Sequence, residues 1–239
     1  MCIRDSCYPV RLKVSLKLRC SKFNVCHPNF ELITFSVRSK LAEWLPLALR
    51  FTKLDLIYTT NHHGRTIDNF YRHVSKAKHT VLLLEPLNTS NLIVGCYASQ
   101  TWHFSTRVYG DGNCFLFRIS LSDDEGEDDN SICWKWQYPK SNQLELGYEA
   151  GDTLPSSTGS SVNTTAILEQ FQVGTKDYIS MGGNSKGDAG LRLNEDLTRA
   201  ESSKAAGFDN LPLASDEIFE VGVVEVYQMV RQMDGVPIH

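Results

Sequence analysis

Three short apolar runs constrain this chain more than any other feature: Thr80-Val-Leu-Leu-Leu-Glu85, Leu92-Ile-Val-Gly-Cys-Tyr-Ala98 and Phe115-Leu-Phe-Arg-Ile119. Each is too short for a buried helix and is bounded by turn residues, so each reads as a strand. Pro86, Asn88, Ser90 and Asn91 separate the first two, the signature of a hairpin. Ahead of the third, Val108-Tyr109 runs into Gly110-Asp-Gly-Asn113, whose glycines supply the positive φ of a tight reversal. Arg107–Ile119 is therefore expected to be a second hairpin corner. Beyond it Phe115, Phe117 and Ile119 share one strand face, and Cys114, Leu116 and Arg118 the other. Strands joined this way build antiparallel sheet.

Helical signals are fewer. Leu41, Trp44, Leu45 and Ala48 recur at helical spacing, with Pro46 near a break. Asp55-Leu-Ile-Tyr58 reads as a strand and Asn61-His-His-Gly64 as a turn. Thr66 caps a helix that carries Ile67, Phe70, Tyr71 and Val74 on one face, and Asp68 in its first turn suits the helix dipole. Structure resumes near Tyr178 and ends in a strand from Ile218 to Tyr227. The fold class is α+β, mainly β.

The domain proper is expected over residues 41–229, with flexible insertions near 123–130 and 140–175 and a tail at 230–239. The first insertion is an acidic run and the second is rich in Gly, Ser and Thr. Residues 1–40 are set apart as an N-terminal segment, expected to be artefactual or disordered in part, because MCIRDS resembles a translated adapter. Within that segment Val10–Arg19 alternates with period 2, a strand pattern with one basic face and not the 3.6 period of a mitochondrial targeting helix.

Charge is divided along the chain. Residues 1–40 hold eight Lys/Arg against Asp5 and Glu31, a balance of +6, while the rest holds 16 Lys/Arg against 26 Asp/Glu, a balance of −10. An acidic body argues against nucleic acid as a partner. No apolar run approaches the roughly 18 to 20 residues of a membrane span. The start lacks the apolar stretch of a secretory signal. Seven cysteines, an odd number without CxxC spacing, indicate a reduced intracellular compartment, most simply the cytoplasm. Cys96 and Cys114 lie on apolar strands, which argues for buried, inert thiols.

Familiar chemical templates fail. Met181–Gly190 holds Gly182 and Gly187 at GxxxxG spacing, but Asp188 and Ala189 stand where a phosphate loop needs Lys and Ser/Thr. Close packing of backbone at Gly182 and Gly183 is the expected use. His62 and His63 point apart on regular structure, and His73, His79 and His103 lie on separate elements, so no metal or cofactor is expected. No GxSxG elbow is present. Carboxylates are the remaining candidates. Phe219, Val221, Val223, Glu225 and Tyr227 fall on one strand face, so Glu225 interrupts an apolar row; a cation or backbone N–H groups must hold it if its pKa is not to rise. Glu195, Asp196 and Asp216 stand at element ends.

Taken together, LIYTTNHHGRTIDNFYRHV (56–74), TVLLLE (80–85), VGCYASQTW (94–102), VYGDGNCFLF (108–117), Lys135-Trp136, MGGNSKGDAGLRLNEDL (181–197), GFDNLPLASDEIFEV (207–221) and VEVY (224–227) resemble the TLDc domain of the oxidation-resistance proteins. The resemblance implies a sandwich of two antiparallel sheets flanked by a few helices. It also implies protection against oxidative stress through binding and regulation of a protein partner, the vacuolar-type proton ATPase, without settled catalysis. Its structural motif falls on Gly64, Trp102, Gly110, Gly112, Gly182, Gly183, Asp196 and Glu225. Glu195 matches as well. The chain departs from the family at Asn113, where Glu is common, at Asn194 (Asp), Arg192 (an aromatic), Ala200 (Gly), Ala205 (Cys nearby) and Tyr227 (Trp). The alternative is a hydrolase-like enzyme using two carboxylates drawn from Glu195, Asp196, Asp216 and Glu225. The sequence does not fix the oligomeric state.

Overall fold

A computed structural model describes residues 32–121, 130–137, 171–183, 189–205 and 207–230. The Val10–Arg19 pattern, nearly all of the acidic run and most of the 140–175 stretch lie outside the described residues. Packed structure reaches back into the segment set apart above, since helix α1 spans Phe35–Trp44 and Leu32 is buried. Thr34 caps α1 by accepting from the Val37 N–H, and α1 ends just before Pro46, where the sequence leads one to expect a break; Ala48 falls in a separate 3₁₀ turn, Leu47–Leu49. Two further helices follow strand β1 (Lys53–Thr59): the short α2 (Thr60–His63), where a turn was expected, and α3 (Ile67–Val74), capped by Thr66.

The strands form two antiparallel sheets. One holds β1, the hairpin β2 (Thr80–Pro86) and β3 (Leu92–Ala98), then β5 (Phe115–Ser120) and β6 (Ile132–Lys135). The other runs from β4 (Ser105–Tyr109) through β7 (Gln172–Gly174), β8 (Tyr178–Met181) and β9 (Leu191–Asn194) to β10 (Arg199–Glu201). The long β11 (Ile218–Val230) belongs to both: its start pairs with β10, its remainder with β1 and β2. The β7 strand already occupies part of the stretch read as insertion.

The two sheets face each other across one core, where Leu82, Leu84, Val94 and Cys96 meet Ile179, Met181, Leu191 and Leu193. A second core lies on the opposite face of the first sheet, where Val81, Leu83, Tyr97 and Phe117 meet Val37, Leu41 and Leu45 of the α1 layer. Buried on both faces, β2 has no polar face to show, which is why TVLLLE does not alternate.

The corner at 107–119 is not a hairpin. Its flanking strands never pair; β4 pairs with β7 in one sheet, β5 with β3 and β6 in the other. Gly110, at φ +112°, turns the chain from one layer into the next, a conformation that side chains disfavour. Gly112 lets the Trp136 ring come close, where an added Cβ would sit 2.8 Å from it.

Candidate functional site

The sequence-derived carboxylates fall in separate environments. Glu225 sits mid-strand on β11, opposite Thr59 and Leu83, and is fully buried. Its Oε2 accepts from the Leu32 backbone N–H at 3.1 Å and from the Tyr227 hydroxyl at 2.6 Å. Backbone N–H and a phenol therefore solvate this carboxylate where water is excluded. Leu32 belongs to the segment entering α1, so Glu225 fixes that segment to the sheet. The row around it differs from the expected one. A register shift between Val221 and Val224 changes the phase of β11, so Phe219 and Val221 face the inter-sheet core while Val223 and Tyr227 face the second.

Glu195 and Asp196 occupy the exposed β9–β10 turn. Asp196 Oδ1 accepts from the Thr198 N–H (3.1 Å) and hydroxyl (2.6 Å), and those bonds hold its pKa below the usual carboxylate range. Asn194 Oδ1 accepts from the Thr198 and Arg199 N–H groups, so Asn performs the acceptor role an Asp would have there. Leu197 is fully buried and adopts φ +54°, rare for a non-glycine, which the surrounding bonds enforce. Asp216 is exposed elsewhere, accepting from Asn88 Nδ2 at 2.6 Å. A buried acid inside the sheet and exposed acids on two turns do not share a cleft.

What joins the β9–β10 turn to the rest is Arg65. Its Nη1 donates to the carbonyls of Leu197 (3.3 Å) and Val221 (3.2 Å), and its Nη2 to that of Gly222. Ile67 N–H donates to the Glu195 carbonyl at 3.0 Å, and Val224 N–H, displaced by the bulge, donates to Thr60 Oγ1 at 3.1 Å. The α2–α3 corner, the turn and the β11 bulge are thus clasped together. Sequence reading missed Arg65, and only Gly222 inside a strand signalled a bulge.

Other motif residues take structural positions. Gly64 ends α2 at φ +80° and its carbonyl accepts from the Tyr58 hydroxyl. Trp102 fills the inter-sheet core, edge-on to Phe70. Gly182, at φ +77°, and Gly183 follow β8. Beside Gly110, Asp111 accepts from Ser99 Oγ, Gln100 Nε2 and the Asn113 N–H. Burial alone would raise its pKa, but these donors outweigh burial and hold it below the usual range.

Histidines and thiols complete the inventory. His63 and His73 pack with ring centres 4.0 Å apart against Tyr58, a pairing that spacing does not reveal. The Thr59 N–H donates to His63 Nδ1 at 3.0 Å, and His73 Nδ1 meets the Asn69 carbonyl at 2.7 Å. No group of three metal-ligating side chains occurs among the described residues. Burial keeps Cys96 protonated far above the ordinary thiol value and pushes Cys114 and Cys133 up to about 12. Protonated, buried thiols are poor nucleophiles. No described helix is long and apolar enough to cross a membrane.

Fold and site together define an antiparallel β-sandwich domain whose motif acids bind its own backbone. The family model of the TLDc domain matches residues 29–230, and the chain belongs to that family. Among its relatives, TBC1 domain family member 24 of Xenopus tropicalis is 24% identical over 223 residues, 82% of this chain and 37% of that protein. GTPase-activating protein skywalker of Drosophila melanogaster is 26% identical over 201 residues, 80% of this chain and 29% of that protein. Oxidation resistance protein 1 of Podospora anserina is 25% identical over 211 residues, 82% of this chain and 58% of that protein. The chain therefore spans less than two thirds of each of these relatives.

Proposed function

We propose that this domain is a non-catalytic binding module of the oxidative-stress response and that it docks on the vacuolar-type proton ATPase to regulate it. The observation that carries this reading is the family match across residues 29–230, which takes in a relative named oxidation resistance protein 1. The use of the motif acids supports it: Asp196 Oδ1 accepts from Thr198, and Glu225 Oε2 from Leu32 and Tyr227. The raised pKa values of Cys96 and Cys114 count against a sacrificial thiol and direct attention to the outer surface. In this reading the chain acts inside the cell, in the cytoplasm or at organelle membranes through its partner.

A pull-down from cell lysate tests this reading, with Leu84→Asp as a misfolded control because Leu84 is fully buried. Enrichment of ATPase subunits on the native chain alone is expected. Equal recovery on the control sinks the partner assignment. In cells challenged with peroxide, a folded Glu225→Gln variant is expected to protect like the parent, and loss of protection with folding intact would speak for the carboxylate enzyme instead.

A further inference from the structure

Three apolar side chains stand out from the described surface. Phe51, Phe35 and Leu47 are 88%, 82% and 72% exposed, more than any other large apolar residue among those described. All three lie on the α1 layer. Helical spacing puts Phe35, Arg38, Ser39 and Ala42 on the face of α1 opposite the buried Val37 and Leu41. Arg38 and Arg50 line one shallow depression of about 60 Å³ beside Ala42, room for no more than a couple of waters. Arg50 donates from Nε to the Leu45 carbonyl and from Nη2 to that of Glu43, both at 3.1 Å, so its charge lies over the end of α1. Isolated apolar side chains projecting among guanidinium groups do not form a groove for a peptide.

They suit a lipid interface, where apolar side chains enter the headgroup boundary and cations pair with lipid phosphates. The distribution of charge fixes the orientation. Residues 32–50, which hold this helix and the 3₁₀ turn, carry Arg38, Lys40 and Arg50 against Glu43 alone, a balance of +2 in a chain whose net charge is −4. An anionic surface therefore favours this layer over the chain as a whole. We propose that the exposed face of α1 and the following 3₁₀ turn form a docking surface for an anionic phospholipid bilayer. The proposal does not depend on the ATPase, because the vesicles that test it contain no protein.

Sedimentation of the full chain with vesicles decides it, using phosphatidylcholine alone or mixed with phosphatidylserine. Binding is expected to the mixed vesicles and to weaken as salt rises. A Phe35→Ser/Phe51→Ser double variant is expected to bind about tenfold more weakly and Arg38→Gln about fivefold. Both should melt at the parent temperature, since these side chains bury little. No binding to the mixed vesicles overturns the proposal, as does equal binding to the neutral ones. So does a folded double variant that binds like the parent. Self-association lost in the double variant, without vesicle binding, assigns the face to a second copy and overturns it too.

Discussion

Glu225 and Asp196 both fall on the family motif, yet they stand in opposite surroundings. Glu225 has no water to replace its partners, so each bond it accepts answers a large desolvation cost. Asp196 is exposed, and water competes for every bond it makes. Both hold the backbone of their own chain. The difference teaches that an acid in a motif is no evidence of chemistry until its lone pairs are counted. It also sets the order of what substitutions should do.

The largest effect is expected at Glu225. Truncation to Ala removes the buried acceptor of the Leu32 N–H and of the Tyr227 hydroxyl and opens a cavity, a loss of about 3 kcal/mol. Gln still accepts from Leu32 and can donate to Tyr227 in reverse, so its cost is expected near 1 kcal/mol. Urea denaturation of both variants checks this, and amide exchange at Val37 should quicken in Glu225→Ala because the segment entering α1 is freed. Equal losses in the two variants would break the distinction between a bonded and an unbonded site.

Arg65→Ala comes next. It deprives the carbonyls of Leu197, Val221 and Gly222 of a shared donor, but Arg65 is only half-buried and water can replace part of it, so about 1 to 2 kcal/mol is expected. Asp196→Ala removes two bonds from an exposed turn and should cost about 1 kcal/mol, the scale of a lost cap. An Asp196 effect exceeding that of Glu225 in the same assay would reverse the comparison.

Legibility in the sequence followed the reach of each interaction. The β2–β3 hairpin was readable because both strands and their turn lie within 80–98. The 107–119 corner was misread because the partner that claims β4 is β7, more than sixty residues away. Glu225 was recognisable as an acid in an apolar strand, but its partner Leu32 lies 193 residues distant and no local pattern announces it. The phase of β11 depended on a bulge that Gly222 alone hinted at. Arg65, with acceptors 132 to 157 residues away, left no trace in spacing.

The smallest expected effect concerns His63, which lies between the two extremes as a half-buried titratable group. Burial lowers its pKa first, and the charges of His73 and His62 lower it further. Its Nδ1 accepts from the Thr59 N–H, so a proton placed there must break that bond at the cap of α2. With the folded pKa below the unfolded value of about 6.5, the unfolded chain takes up the proton first as pH falls. Neutral His63 therefore contributes its full stability above pH 6.5, and the contribution shrinks below it towards the folded pKa. A His63→Asn variant keeps an oxygen acceptor for Thr59 but does not titrate. Urea midpoints compared at pH 7 and about one unit below the free-histidine value should fall less in this variant than in the parent. A parent midpoint that falls no further than the variant's would show that the 4.0 Å contact between the His63 and His73 rings carries no penalty on protonation.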